Sequence, residues 1–268
     1  MSTAADATAA PAPATGGVTQ LEVDGLRRHF GGVWAVDGAS FSVPTGSVTS
    51  LIGPNGAGKS TVVGIIGGAV KPNAGRVVFG GEDITAQPPH ERARRGLVRT
   101  YQLSSEFGRL TVLENLLLAA PRQRGETLRA LLLGKRYWAA QERDLVAQAR
   151  TLLDRFGMLE KEYEYAGSLS GGQKRLVEIM RALMAEPKLL LLDEPMAGVN
   201  PTLARSIEND LRQLAREGLT LLIVEHELDV VERMSDAVIV MAFGRVIATG
   251  TMAELRNRRE VLDAYLGD

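Results

Sequence analysis

The sequence predicts an α/β fold with a buried, largely parallel sheet, on three observations. Residues 48–52, Val-Thr-Ser-Leu-Ile, form an apolar run closed by the loop "GPNGAGKST" at 53–61, after which Val62, Val63, Ile65 and Ile66 suit a helix face. Residues 189–192 are four consecutive leucines, as a strand covered on both faces requires, and they end in Asp193-Glu194. Residues 219–224 form another such run, which ends at Glu225-His226. Apolar strands alternating with helices build parallel sheets, and such sheets bind ligands beyond the carboxyl ends of their strands.

The loop matches G-x-x-x-x-G-K-[ST], with Gly53, Gly58, Lys59 and Ser60 on the fixed positions. Pro54, Asn55, Gly56 and Ala57 fill the spacing, and Thr61 follows. Phosphate oxygens must come close to backbone N–H groups there, and a Cβ would stand in the way. Lys59 supplies a positive charge for β- and γ-phosphates, and Ser60 a hydroxyl for Mg²⁺. The helix that follows adds orphan N–H groups and the positive end of its dipole.

The 268 residues suffice for one large α/β domain or two small ones, and 45% hydrophobic content allows a sizeable core. A net charge of −1 gives no general case for nucleic acid. The absence of cysteine excludes disulfides and thiolate metal sites. No apolar run approaches the ~20 residues that span a bilayer. Any membrane role is therefore expected through partner chains.

Residues 1–17 are rich in Ala, Thr and Pro and are expected to be a disordered tail. Residues 18–43 read as paired strands, with Phe30 before Gly31-Gly32. Phe30 could stack on an adenine ring or sit at a core edge; its position alone leaves both open. A turn at 72–75, a strand at 76–79 and a short charged helix from Pro88-Pro89 to Gly96 follow. Residues 97–100 then form a strand leading to Gln102, which matters only if that strand lies beside the phosphate loop.

From about residue 104 to 186 the pattern turns helical and reads as an inserted subdomain within one domain spanning 18–268. Residues 121–150 carry seven Arg or Lys against three acids, a face suited either to solvent or to a membrane partner. "SLSGGQ" at 168–173 precedes an amphipathic helix, so Ser170, Gly171 and Gly172 lie at its N-terminus, a second site suited to an anion. Asp193 can hold Mg²⁺, and Glu194 can take a proton from water. Asn200-Pro201 begins a further helix as N-cap and first residue. His226 ends a strand next to the acidic one, where it could be structural or could meet a γ-phosphate.

Together these motifs resemble the ATP-binding subunit of ABC transporters. "GPNGAGKST" is similar to Walker A, Gln102 to the Q-loop glutamine, and "LSGGQ" at 169–173 to the signature. "LLLLDEP" at 189–195 is similar to Walker B, and His226 to the switch histidine. The resemblance implies a P-loop NTPase cassette: a RecA-like mixed-sheet core, an antiparallel β subdomain and an inserted α-helical subdomain. It implies ATP and Mg²⁺ as ligands, the metal held by Ser60, Gln102 and Asp193. Glu194, His226 and Gln102 would carry catalysis, Phe30 would stack on adenine, and Ser170 to Gln173 would cover a partner's nucleotide. It also implies a head-to-tail pair of cassettes on transmembrane permease subunits, peripheral to the cytoplasmic face of the membrane.

A narrower resemblance is to the branched-chain amino-acid importer group, through "MAGVNP", "FGRVIATG" and the closing "YLG". Asn200, in place of the D-loop aspartate, fits that group; Gly171, where the group often has tyrosine, departs from it. The group implies a second, non-identical cassette and, indirectly, a solute-binding protein. The alternatives are a homodimeric motor, a lipid-exporting ABC motor and a soluble ABC ATPase.

Overall fold

The computed structural model describes residues 18–100, 107–121 and 138–266. The proposed tail at 1–17, Gln102 and most of the basic segment, including Tyr137, lie outside the described residues. A four-stranded antiparallel sheet in the order β2-β1-β4-β5 is formed by β1 (Thr19–Phe30), β2 (Val33–Pro44), β4 (Ala74–Phe79) and β5 (Glu82–Asp83). The central sheet has β3 (Val48–Ile52), β6 (Leu97–Arg99), β7 (Leu189–Asp193), β8 (Thr220–Val224), β9 (Ala237–Ala242) and β10 (Arg245–Gly250). Their order is β10-β9-β3-β8-β7-β6. All pairings are parallel except β9 with β10, so the sheet is mixed.

The leucine run of β7 shows why the sheet is covered on both faces. Leu190 and Leu192 join a core cluster with Leu221 and Ile223 of β8. Leu189 and Leu191 face the other way, into a cluster with Leu222, Val224 and Leu51. This is the period of two expected of a strand. The first cluster includes α3 (Val112–Leu118), α4 (Ala139–Arg155) and α5 (Gly171–Met184), so the helical segment shares its core with the sheet. The second contains α1 (Lys59–Ile66) and the inward residues of β1 and β2.

Short charged α2 (Pro89–Arg95) fixes α1 from behind. Its Arg92 is 1% exposed and donates to the Ile65 and Ile66 carbonyls at 2.6 and 2.7 Å. It also donates to Gln87 O and Thr85 O, both at 2.9 Å. A cation at a helix C-terminus meets both orphan carbonyls and the negative dipole end. Gly96 closes α2 in the left-handed conformation, φ 100°. The remaining α-helices among the described residues are α6 (Pro201–Arg216), α7 (Leu228–Met234), α8 (Met252–Leu255) and α9 (Arg259–Leu266). Asn200 caps α6 by accepting from Leu203 N at 3.0 Å. The carboxyl-terminal segment packs in a third cluster in which Val261 and Tyr265 meet Ile52 and Val240. None of the described helices is long and apolar enough to cross a membrane.

Candidate functional site

The strand order brings the sequence-predicted residues to one edge. β3 and β7 flank β8, so the phosphate loop after Ile52, the acids ending β7 and Glu225-His226 after β8 leave the sheet at neighbouring carboxyl ends. Helix α1 starts from Gly58 in the left-handed conformation, with no side-chain cap and no acid in its first turn. Its first N–H groups are thus left for an external acceptor.

Two of the loop glycines answer to the protein itself. A Cβ on Gly53, φ 148°, would lie 2.1 Å from the Met241 carbonyl oxygen. One on Gly58, φ 98°, would lie 2.3 Å from the carbonyl oxygen of Ala35. These residues are glycine because neighbouring backbone occupies the space, a reason separate from phosphate approach. Lys59 Nζ donates to Gly53 O at 2.6 Å and Pro54 O at 2.9 Å. Burial lowers its pKa, while the carboxylates of Glu194 and Asp193 act in the opposite direction. The ammonium and both acids therefore share one local field.

Asp193 Oδ2 lies 3.3 Å from Arg99 on β6, an ion pair absent from the sequence reading. Glu194 has φ 47°, a region that side-chain-bearing residues rarely occupy. Its N–H donates to Val224 O at 2.9 Å. Its Oε1 is 3.5 Å from His226 Nδ1, and both side chains remain partly exposed. Arg175 of α5 donates to the carbonyls of Asp193, Glu194 and Pro195 at 2.5, 2.7 and 3.2 Å.

At the start of α5, Ser170 and Gln173 form a capping box: Ser170 Oγ accepts from Gln173 N, and Gln173 Oε1 accepts from Ser170 N at 3.0 Å. The S-x-x-Q spacing carries that signal. Phe30 ends β1 with its ring half-exposed, and the Arg28 guanidinium lies 4.6 Å from the ring centroid. Trp34, also half-exposed, meets His29 edge-on at 5.2 Å and gives the hairpin tip a second aromatic that sequence reading missed.

The acids and hydroxyl here are hard oxygen donors, the type Mg²⁺ takes, usually with only one or two carboxylates beside phosphate and water. Ser60 and Asp193 fit that set. Concavities of ≈ 510 and ≈ 350 Å³ open near Pro187, Leu214 and Leu219, by the amino-terminal ends of β7 and β8 and away from this face.

Glu225, beyond β8, was not anticipated as a buried group. It is 2% exposed, its Oε2 accepts from His226 N at 3.3 Å, and its Oε1 has no hydrogen-bond partner among the described residues. Burial pushes its pKa from 4.5 up to about 7. A carboxyl raised on folding stabilises the fold fully below its unfolded value, and that contribution is lost as pH rises through the folded value. Thermal unfolding across pH 5–8 is expected to show wild type losing up to roughly 3 kcal/mol relative to Glu225→Gln. Parallel pH profiles for the two proteins would refute this.

Residues 36–197 match the family described as "ABC transporter", and residues 245–268 match "Branched-chain amino acid ATP-binding cassette transporter". The chain is 40% identical over 247 residues to a probable branched-chain amino acid transport ATP-binding protein LivG of Archaeoglobus fulgidus, covering 92% of this chain and 95% of the relative. It is 38% identical over 249 residues to a high-affinity branched-chain amino acid transport ATP-binding protein BraF of Pseudomonas aeruginosa, covering 92% and 98%. Among solved structures, it is similar to an ATP-binding cassette of an ABC transporter in its ADP conformation. That likeness has a TM-score of 0.81 and 40% identity, and covers 94% of this chain and all of the other.

Proposed function

The chain belongs to the ABC transporter family of ATP-binding cassettes, ATPases coupled to transport, and from that premise we propose that it energises import of branched-chain or similar amino acids. The observation that carries the substrate class is the match of residues 245–268 to the branched-chain model. In this structure the described part of that stretch, 245–266, includes β10, α8 and α9, packed against the strand that feeds the phosphate loop.

In this reading Lys59 and the N–H groups opening α1 hold the phosphates. Ser60 and Asp193 would hold Mg²⁺, which when bound neutralises phosphate charge. Gln102 is assigned to the same metal by resemblance alone. Phe30 stacks on adenine with the ring face that Arg28 leaves open. Glu194 takes the proton of the attacking water, and His226, 3.5 Å from it, orients that exchange near the γ-phosphate. Ser170 to Gln173 cover the nucleotide of a second cassette. Neither surface encloses a site alone, so ATP holds two cassettes together and product release parts them.

The partners proposed are two transmembrane permease chains, a second, non-identical cassette and, through the permeases, a solute-binding protein. The cassette would sit at the cytoplasmic face of the membrane. Purification of the tagged chain from its native host is expected to bring down both permeases and the other cassette. The assembly, reconstituted in vesicles with its binding protein, is expected to take up leucine only with ATP. Recovery of permeases with this cassette alone would show a homodimeric motor, and ATP-driven lipid flipping without leucine uptake would show an exporter.

A further inference from the structure

The acid proposed to activate water sits on strained backbone. Glu194 has φ 47°, and an L-residue with a long side chain keeps such a conformation only where its surroundings over-determine it. On one side its N–H is held by Val224 O at 2.9 Å. On the other, three successive carbonyls, those of Asp193, Glu194 and Pro195, converge on one guanidinium, that of Arg175. Arg175 is itself fixed: its side chain is 12% exposed, and it donates to Glu178 Oε2 at 2.6 Å, one turn along α5.

A guanidinium presents five donors in a rigid fork, which suits it to several acceptors at once; an ammonium has no such shape. We propose that Arg175 is a positioning residue that holds the backbone turn carrying Glu194, and so sets where its carboxylate meets water. The proposal rests on the reading of Glu194 as the proton acceptor. Arg175 touches neither carboxylate of the acid pair; it acts through their backbone. It also ties the helix that starts at Ser170 to the acid turn of the same chain, since Arg175 lies little more than one turn into that helix.

The test is steady-state and single-turnover ATP hydrolysis by the full chain in its assembled form. Arg175→Met keeps length and removes the donors; Arg175→Lys keeps the charge without the fork. Arg175→Met is expected to lower kcat about 10- to 100-fold, the usual cost of losing a group that orients a reacting one, with KM for ATP nearly unchanged. Arg175→Lys is expected to lie between it and wild type. In a Glu194→Gln background, Arg175→Met is expected to cause no further loss, because it acts through Glu194. Circular dichroism at the assay temperature checks that each variant is folded, and Arg175→Lys carries the test if Arg175→Met is not.

Wild-type kcat in both variants, a loss confined to KM, or a loss that adds in full to that of Glu194→Gln would each overturn the role. Near-normal hydrolysis by Glu194→Gln alone would instead overturn the functional reading beneath it.

Discussion

Glu194→Gln is expected to bind ATP as wild type does and to hydrolyse it about 10²–10⁴ times more slowly, the usual cost of a lost general base. The substitution keeps the shape of the side chain and its contact distance to His226, and it leaves Lys59, Ser60 and Asp193 in place. It also removes one negative charge from the field that favours protonated Lys59. Asp193 remains to oppose the lowering that burial causes. With binding intact and turnover blocked, ATP·Mg²⁺ is expected to hold cassettes paired, visible as an earlier peak on a sizing column when the partner cassette is present. Near-normal hydrolysis would reassign the base, and His226 would be the next residue to change.

Lys59→Ala is expected to raise the Kd for ATP by at least about 100-fold, since each hydrogen bond to a charged group is worth about 1.5–3 kcal/mol and the ammonium can make more than one. The substitution takes one donor from Gly53 O and Pro54 O, in a part-buried site, so the fold of the variant is checked alongside its affinity. Phe30→Ala is expected to weaken ATP by a smaller step, about 1–3 kcal/mol, the range for one base on one aromatic ring. Isothermal titration of both variants, with melting curves as the control, separates the two. Unchanged affinity in Lys59→Ala would remove the phosphate loop from the argument. Unchanged affinity with a lower melting temperature in Phe30→Ala would make Phe30 a packing residue.

What the sequence made legible was whatever the chemistry or the backbone demands locally. A G-x-x-x-x-G-K-[ST] loop after an apolar strand has few other uses, and four leucines ending in Asp193-Glu194 can hardly lie anywhere but in a covered sheet. Asn200-Pro201 marked a helix start for reasons of hydrogen bonding and φ alone. What stayed hidden depends on contacts far along the chain. Arg92, within a charged heptapeptide, reads as solvated until α1 is seen ending against it. Arg175 reads as the polar face of an amphipathic helix until β7 is seen ending beneath it. Glu225 is indistinguishable in sequence from its neighbour Glu227, yet one is buried and the other exposed. At Gly53 and Gly58 phosphate approach is a reason for glycine that sequence can suggest; the second reason stays hidden, because the carbonyls that exclude a Cβ come from Met241 and Ala35, far away in sequence.

Those two carbonyls have a thermodynamic consequence. Met241 belongs to the central sheet and Ala35 to the antiparallel one, so the phosphate loop is gripped on either side by structure already formed. Ordering a free chain costs about 1–2 kcal/mol per residue in conformational entropy. A nine-residue loop, 53–61, that had to fold around its ligand would cancel most of the attraction between ammonium, N–H groups and triphosphate. Because the grip is built in, that entropy has been lost at folding and is not lost again at binding. In the function proposed above, the free energy of nucleotide capture is then available for drawing a second cassette onto the open face.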